Sequence, residues 1–385
     1  MKIKLSIKLF LGLIFWTVGC NKKCFELTFD SIEFPETVLI KEGEKAMQLH
    51  DFFVQKATEG KWFQAIIWEN GNTILNAGYG YANWLNQNPI NSETAFDLAS
   101  ISKMFTATAI MKAAEMGLLS INDPITKYID NVPSDKQSIT IHHLLNHSSG
   151  LPEFHDKKGD FEKMNRKEAL DKILNAKLAH PVGDSFKYSN SAYTLLALIL
   201  EKASNQPYES FVRDKLWTPI GLDKTGFHGE KIWQEDKIAM GYGDECHNGN
   251  TPSNWEKMEG VLLGNSGIVS SADDLLKWYL AWRNDEILNA ESQKKMLEKY
   301  LPNTRYEDTF LQGKVWQGYS WEIHEDPLFG TAWYSGGSSN FGFISMIKIY
   351  PEKNTIVILL SNNFSKENGT IRSLSNIEQI ENILF

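Results

Sequence analysis

The chain has 385 residues, of which 42% are hydrophobic and 23% charged, and this composition is typical of a globular protein with one large or two modest domains. Its formal net charge is -9 and it has no cluster of Lys and Arg residues. A nucleic-acid-binding protein needs a basic face, so we expect no nucleic-acid partner.

The N-terminal segment has the pattern of a bacterial secretory signal. Three lysines precede a short apolar run, Leu9 to Val18, that cannot span a bilayer as a stable helix. The run ends in Thr17-Val18-Gly19-Cys20, which resembles a lipobox and predicts lipidation of Cys20. A signal cleaved without lipidation and an uncleaved anchor are the alternatives. The predicted organisation is a lipoprotein signal peptide over 1–20, a polar tether over 21–45 and a folded domain over 46–385.

Two cysteines remain, Cys24 in the predicted tether and Cys246 in a loop-like polar stretch. An exported chain permits a disulfide between them. Nothing else in the sequence supports that pairing, so it stays open.

A hairpin precedes the first candidate functional residue. Two strand-like runs, 65–69 and 72–81, flank Asn70-Gly71, and Asn-Gly between such runs is a strong hairpin signal. Residues 47–56, just before the hairpin, have the pattern of a helix. An antiparallel sheet is therefore expected to begin near the N-terminal end of the domain.

A long apolar run after residue 100 predicts a buried helix with a candidate nucleophile at its start. Ser100 and Lys103 are three residues apart, so their side chains share one face of the first turn and the amine can lie beside the hydroxyl. Exposed amides at a helix start favour the developing negative charge. The same spacing recurs at Ser292 and Ser345, but neither begins a buried helix. Helix capping is the alternative role for Ser100.

His143 and His147 lie four residues apart on a predicted short helix and could share a metal ion. No neighbouring acidic or Cys run supplies a third ligand. We therefore expect packed or capping histidines and no metal site.

A second candidate motif, Tyr188-Ser189-Asn190, lies in the turn before a largely apolar helix over 194–203. The phenol of Tyr188 can take or give a proton, and the amide of Asn190 offers a donor and an acceptor. The motif could therefore serve proton transfer and substrate anchoring. A buried tyrosine and a helix-capping asparagine are the alternatives.

The C-terminal part returns to strands, with runs over 333–337, 341–350 and 355–360 before a terminal helix over 370–384. Gly336 and Gly337 would let backbone amides approach a ligand closely, which an oxyanion site requires. No Gly-x-Ser-x-Gly sequence occurs, which excludes the nucleophile elbow of ordinary esterases.

The order of three motifs is more specific than any one of them: Ser100 to Lys103, Tyr188 to Asn190, and Ser335 to Gly337. In this order the chain resembles the serine β-lactamase and penicillin-binding-protein family, on its class C β-lactamase, D-alanyl-D-alanine carboxypeptidase and esterase side. The resemblance covers about residues 49–360 and includes similar runs at 139–152, 186–196 and 264–275.

The resemblance implies an α+β, β-lactamase/transpeptidase-like fold. An antiparallel sheet flanked by helices would take about residues 46–97 and 305–385, and a mostly helical second subdomain would take about 98–304. The cleft would lie where the two parts meet.

The resemblance also implies the roles of the motif residues and needs no metal or organic cofactor. Ser100 would be the nucleophile, and Lys103 and Tyr188 would together move its proton; the sequence leaves open which of the two is the base. The remaining roles are an oxyanion hole from the amides of Ser100 and Gly337, and substrate binding by Asn190, Tyr334, Ser335 and Gly336.

The implied function is that of an exported serine hydrolase, lipid-anchored to a membrane of the bacterial envelope, that works through an acyl-enzyme. Its substrates would be small molecules or peptides, including D-amino-acid peptides derived from peptidoglycan, β-lactam-like compounds and esters. The alternative is a sensor or peptidoglycan-binding lipoprotein without turnover. The presence of all four residues Ser100, Lys103, Tyr188 and Asn190 favours the enzyme.

Tyr334 departs from the family pattern, in which the third motif begins with Lys or His. A phenol brings no positive charge, and hydrogen bonds to charged groups are about twice as strong as those between neutral ones. The sequence therefore predicts weak processing of penicillins and of peptides with a free carboxylate, and better relative activity on neutral esters or amides. The alternative is a basic residue supplied by another loop.

Overall fold

The computed structural model of the protein describes residues 35–156, 159–243, 258–306, 313–364 and 371–385. The predictions for the signal peptide, for Cys20 and for the Cys24 and Cys246 pair lie outside these residues. Within the described ranges no helix combines the length and the apolar character needed to cross a membrane.

The strands of the described residues fall into one large sheet and three small ones. In chain order they are β1 (Glu36–Lys41), β2 (Phe63–Glu69), β3 (Asn72–Tyr79), β4 (Tyr81–Asn83), β5 (Asn88–Pro89), β6 (Ala95–Asp97), β7 (Gly226–Phe227), β8 (Tyr242–Gly243), β9 (Ile268–Ser271), β10 (Leu301–Pro302), β11 (Lys314–Gln317), β12 (Glu322–Asp326), β13 (Gly330–Ser339), β14 (Phe343–Tyr350), β15 (Thr355–Ser361) and β16 (Asn363–Phe364).

The α-helices of the same residues are, in chain order, α1 (Glu44–Thr58), α2 (Ser102–Glu115), α3 (Ile141–Leu145), α4 (Arg166–Asn175), α5 (Asn190–Ser204), α6 (Tyr208–Val212), α7 (Ala272–Arg283), α8 (Ala290–Met296) and α9 (Leu374–Leu384).

The large sheet is antiparallel throughout and is built from both ends of the described chain. Its strand order is β1-β3-β2-β15-β14-β13-β12-β11-β10. The predicted hairpin forms β2 and β3, and both turn residues have positive φ, 51° at Asn70 and 95° at Gly71. Such a turn matches the twist of paired strands, which explains why this pair of residues joins β2 to β3 in a tight hairpin.

Both faces of the sheet are covered, as the alternation along β15 shows. Ile356 and Ile358 belong to the core shared with the mostly helical part of the chain. Val357 and Leu359 point to the other face and pack in the core that contains α1 and α9. Because successive side chains of a strand point to opposite faces, a continuous apolar strand is the expected sequence for this position.

The predicted tether is wrong over its last residues. Residues 36–41 form β1, which pairs with β3 at the edge of the sheet, and α1 begins at Glu44. β1 was not predicted because it is a short strand at the edge of the sheet, where four of its six residues are exposed to water.

The predicted division of the domain also needs correction. The large sheet takes its strands from residues 36–79 and 301–361, whereas residues 95–97 pair with β9 in a separate three-stranded sheet with β7. This small sheet lies in the helical part and leads directly into the segment that carries Ser100.

His143 and His147 have separate partners. The ring of His143 accepts from the Thr140 backbone N–H, in a capping box at the start of α3. His147 lies beyond the end of α3, in a left-handed conformation with φ of 62°, so the expectation that it lies on the helix is wrong. A residue in the left-handed conformation cannot continue a right-handed helix, so α3 ends before His147.

Candidate active site

Ser100 lies in a short 3-10 turn, Ala99–Ile101, that leads into α2. Lys103 is in the first turn of α2 with only 3% of its surface exposed, and its Nζ lies 3.0 Å from Ser100 Oγ. The same Nζ donates to the backbone carbonyl of Asn265 at 2.8 Å. The spacing of the two residues therefore brings amine and hydroxyl together, and a carbonyl from a distant loop orients the amine.

Burial favours the neutral form of the Lys103 amine. It lowers the pKa well below the ordinary value, and the positive charge of Arg305 lowers it further. A neutral amine has a lone pair and can accept a proton. Lys103 is therefore suited to the role of base.

Tyr188 contacts the same oxygen from the other side. Its hydroxyl donates to Ser100 Oγ at 2.8 Å. Burial raises the pKa of Tyr188 to about 12, even though Arg305 and the bond to Ser100 act in the opposite direction. The phenol is therefore protonated at neutral pH. Taken together, the directions of the two pKa shifts favour Lys103 over Tyr188 as the group that could accept the Ser100 proton.

His147 fixes the turn that carries Tyr188. Its Nδ1 accepts from the Ser189 backbone N–H at 3.1 Å, and its ring lies 4.7 Å from the Tyr188 ring. Burial lowers the pKa of His147 well below its usual value, and the positive charge of Arg305 acts in the same direction. The contact requires a neutral imidazole, because only an unprotonated Nδ1 can accept the hydrogen bond from Ser189.

The helix after this turn is capped by Ser189 rather than by Asn190. The Ser189 side chain accepts from the Ala192 backbone N–H. Asn190 is the first residue of α5 and lines the cleft, and its Oδ1 has no hydrogen-bond partner in the described part of the chain. Its amide is therefore placed for a ligand, and the capping alternative does not hold.

The cleft has a volume of about 460 Å³, and β13 forms one wall through Tyr334, Gly336, Gly337 and Ser338. Ser335 is buried and is not among the lining residues, because side chains alternate between the two faces of a strand. Ser335, which the sequence analysis predicted to contact substrate, is therefore not at the cleft surface, where Tyr334 and Gly336 lie.

Gly337 lies against the backbone of the turn that carries Ser100. A methyl group on Gly337 would lie 2.6 Å from Ser100 N and 2.5 Å from Leu98 O. Only glycine permits this approach, which brings the backbones of Ser100 and Gly337 together beside the candidate nucleophile.

Two guanidinium groups line the cleft near Tyr334, and they supply the positive charge that Tyr334 lacks. Arg372 Nη1 donates to Gly337 O at 2.9 Å. The charge of Arg372 and its hydrogen bond with Tyr334 both oppose the rise of the Tyr334 pKa, which burial causes. Arg305 lies over the Tyr188 ring, 4.0 Å from its centre. The cleft therefore contains basic residues from other segments, which is the alternative that the sequence analysis left open for Tyr334.

Sequence reasoning missed four residues of this site: Asn265, His147 as a support, Arg305 and Arg372. Asn265 acts through its backbone carbonyl, for which no residue type is diagnostic. Arg305 and Arg372 lie in segments without a recognisable motif. Only His147 carried a signal, since it belongs to a run noted for its family resemblance.

Within the described ranges, no group of three or more His, Cys, Asp or Glu residues has the arrangement of a metal site.

Comparisons with known proteins agree with the fold. The family model described as Beta-lactamase matches residues 57–378. Penicillin-binding protein 4* from Bacillus subtilis (strain 168) is 28% identical over 333 residues, which cover 82% of this chain and 71% of that protein. Protein flp from Staphylococcus aureus (strain NCTC 8325 / PS 47) is 26% identical over 313 residues, which cover 77% of this chain and 58% of that protein.

Among solved structures, the octameric penicillin-binding protein homologue from Pyrococcus abyssi has a TM-score of 0.71 and 29% identity. The match covers 82% of this chain and 73% of that chain. The prediction of an α+β, β-lactamase/transpeptidase-like fold is confirmed.

Proposed function

Because the chain belongs to the beta-lactamase family of serine hydrolases, we propose that it hydrolyses amide or ester bonds through an acyl-enzyme formed on Ser100. One observation carries the proposal: Ser100 Oγ lies 3.0 Å from a buried amine and accepts a hydrogen bond from a half-buried phenol. A serine becomes a strong nucleophile when an adjacent base takes its proton.

In the proposed first step, Lys103 Nζ takes the proton of Ser100 Oγ while the oxygen attacks the substrate carbonyl carbon. The amides of Ser100 and Gly337 would hold the resulting oxyanion. The Tyr188 hydroxyl would give its proton to the leaving group and regain one from the Lys103 ammonium. Water then attacks the ester on Ser100, which releases the acid and restores the serine hydroxyl.

The favoured substrate carries a carboxylate on its leaving group. Arg305 and Arg372 line the cleft on the side of Tyr188 and Tyr334, and a guanidinium binds a carboxylate through two parallel hydrogen bonds. Peptides with a free C-terminal carboxylate fit this arrangement better than the neutral esters expected from Tyr334 alone. Asn190 would contact the acyl part of the same substrate.

Intact-mass spectrometry tests the nucleophile. A fluorophosphonate or β-lactam probe should add one adduct to the wild-type chain and none to Ser100→Ala. An adduct that persists in Ser100→Ala would remove Ser100 from the proposal. Thr106→Ala, a buried hydroxyl on the same helix, is the matched control and should still be labelled.

A substrate panel separates the enzyme from a sensor without turnover. Chromogenic esters, β-lactams and D-amino-acid peptides should give multiple turnovers with at least one class. Stoichiometric acylation without turnover on every class would instead support a binding protein.

For the location, we propose an envelope protein anchored through lipid on Cys20; the support is the signal-like sequence of residues 1–20. One acyl chain holds a protein only weakly, and stable anchoring needs more than one. Cys20→Ala should move the protein from the membrane fraction to the soluble fraction. Continued fractionation with membranes would assign the anchor to another segment.

A further inference from the structure

The turn that carries Ser100 contains an unusual backbone conformation. Ala99, the residue before Ser100, has a φ of 48°. Residues with a Cβ atom rarely adopt this left-handed region, because Cβ approaches the carbonyl oxygen too closely. Neighbouring contacts must therefore hold Ala99 in place.

Leu98, one residue earlier, is held by two hydrogen bonds. Its N–H donates to Ile268 O on β9 at 2.8 Å, and Ser345 Oγ on β14 donates to Leu98 O at 2.6 Å. These bonds fix the entry to the turn, but neither one reaches Ala99.

Asp97 supplies the contact to Ala99 itself. This last residue of β6 is fully buried, with 0% of its surface exposed, and its Oδ1 accepts from the Ala99 N–H at 2.9 Å. A side-chain oxygen that binds the N–H two residues later closes a local turn and competes with other backbone conformations. The bond therefore selects the conformation that Ala99 adopts.

The position of this turn decides the geometry opposite Gly337. A methyl group on Gly337 would lie 2.9 Å from Ala99 Cβ and 2.6 Å from Ser100 N, so the two backbones are already as close as glycine allows. A rotation at Ala99 would carry the Ser100 amide and hydroxyl away from Gly337.

We propose that Asp97 is a positioning residue, whose side-chain oxygen holds Ala99 in the left-handed conformation and thereby places the Ser100 amide and hydroxyl opposite Gly337. The inference rests on the proposed function of Ser100. Asp97 does not line the cleft, so it acts through Ala99 and not on the substrate.

The role needs an acceptor oxygen and not a negative charge. Asp97 Oδ2 has no hydrogen-bond partner among the described residues, so Oδ1 alone makes the bond to Ala99. An asparagine retains that oxygen. The competing role is electrostatic, since His228 Nε2 lies 3.6 Å from Asp97 Oδ1; that role would require the charge.

Four variants separate these roles: Asp97→Asn, Asp97→Ala, Ala99→Gly and the double variant Asp97→Ala with Ala99→Gly. With a chromogenic substrate, Asp97→Asn should stay within about threefold of the wild-type kcat. Asp97→Ala should lose about 10- to 100-fold in kcat with little change in KM, because misplaced reacting groups slow the chemical step. Glycine adopts positive φ without strain, so Ala99→Gly should restore part of the loss in the double variant.

Equal losses in Asp97→Asn and Asp97→Ala would overturn the proposal in favour of a charge role, and wild-type kcat in Asp97→Ala would overturn it outright. If Asp97→Ala does not fold, Ala99→Val tests the same conformation with Asp97 intact, because a β-branched residue resists positive φ. Wild-type kcat in Ala99→Val would also contradict the proposal.

A crystal structure of Asp97→Ala, or of Asp97→Asn as its reference, gives a readout that does not need activity. We expect Ala99 to leave the left-handed region in Asp97→Ala and to keep it in Asp97→Asn; an unchanged φ in Asp97→Ala overturns the proposal. Absence of probe labelling at Ser100 in the wild type would instead refute the proposed function. The two failures are therefore distinguishable.

Discussion

The guanidinium of Arg305 stacks on the ring of Tyr188, with its carbon 4.0 Å from the ring centre. The hydroxyl of the same ring donates to Ser100 Oγ. Arg305 therefore acts on both proton-transfer groups, since its charge lowers the pKa of Lys103, after burial, and opposes the burial that raises the pKa of Tyr188.

Removal of the Arg305 charge should shift the pH dependence of kcat/KM. In the proposed mechanism activity requires neutral Lys103, so activity should be present above the pKa of Lys103 and lost below it. Arg305→Gln removes a charge that lowers this pKa, so the acid limb of kcat/KM should shift to higher pH. Arg305→Lys retains the charge and should leave the limb near its wild-type position. An unmoved limb in Arg305→Gln would show that the charge does not reach Lys103.

Lys103 should not tolerate replacement by another positively charged residue. Arginine keeps its proton in proteins and cannot act as a base, so Lys103→Arg and Lys103→Ala should both lower kcat by about 10²- to 10⁴-fold. Thermal unfolding of each variant would show whether a loss of kcat comes from misfolding. Wild-type turnover in a folded Lys103→Arg would assign the base to another group.

Arg372 should determine the preference for a carboxylate. Loss of a hydrogen bond to a charged group corresponds to about a tenfold change, so Arg372→Gln should reduce by about tenfold the ratio of kcat/KM for a carboxylate substrate to that for its neutral analogue. Arg213→Gln is the matched control, because Arg213 pairs with Glu230 and does not line the cleft. A ratio that is unchanged in Arg372→Gln contradicts the proposed carboxylate site.

Gly337→Ala should inactivate the protein without unfolding it. The added methyl would meet Leu98 O and Ser100 N, and displacement of the reacting groups by about 1 Å can cost about 100-fold in rate. Thr331→Ala, on the same strand but not among the residues that line the cleft, should remain active. Full activity in Gly337→Ala would mean that the turn can move freely.

The attachment of α9 should depend on a buried ion pair. Lys348 Nζ lies 2.6 Å from Glu381 Oε1, which also accepts from the Tyr350 hydroxyl. Glu381→Ala would leave Lys348 buried without this partner and should destabilise the fold by about 3 to 5 kcal/mol.

The exposed pair of Lys167 and Asp171 provides the comparison, and Lys167→Ala should change stability by less than about 1 kcal/mol. Chemical denaturation measures both values. Equal losses of stability at the two sites would show that burial does not strengthen the pair between β14 and α9.

The sequence predicted those features that depend on local chemistry. The Asn70-Gly71 turn, the continuous apolar β15 and the Ser100 to Lys103 spacing each dictate their own structure, so they could be identified without coordinates. The sequence analysis did not predict β1, because an edge strand needs no apolar periodicity.

The missed parts of the site depend on contacts between distant residues. Arg372 lies 38 residues beyond Tyr334 in the sequence, yet it contacts Gly337 and supplies the charge that the third motif lacks. The proposal of Lys103 as the base also required the structure, because burial lowers the pKa of the amine and raises the pKa of the phenol.

The pairing of β2 with β15 joins residues 63–69 to residues 355–361, near the two ends of the described chain. During synthesis, the edge of β2 that later pairs with β15 therefore stays unpaired until almost the whole described chain has been made. An open edge can pair with a wrong strand, and contacts between distant residues form slowly. Ribosomal release before residue 355 would leave the hairpin and the Ser100 helix without their central support, and we expect such fragments to aggregate instead of folding.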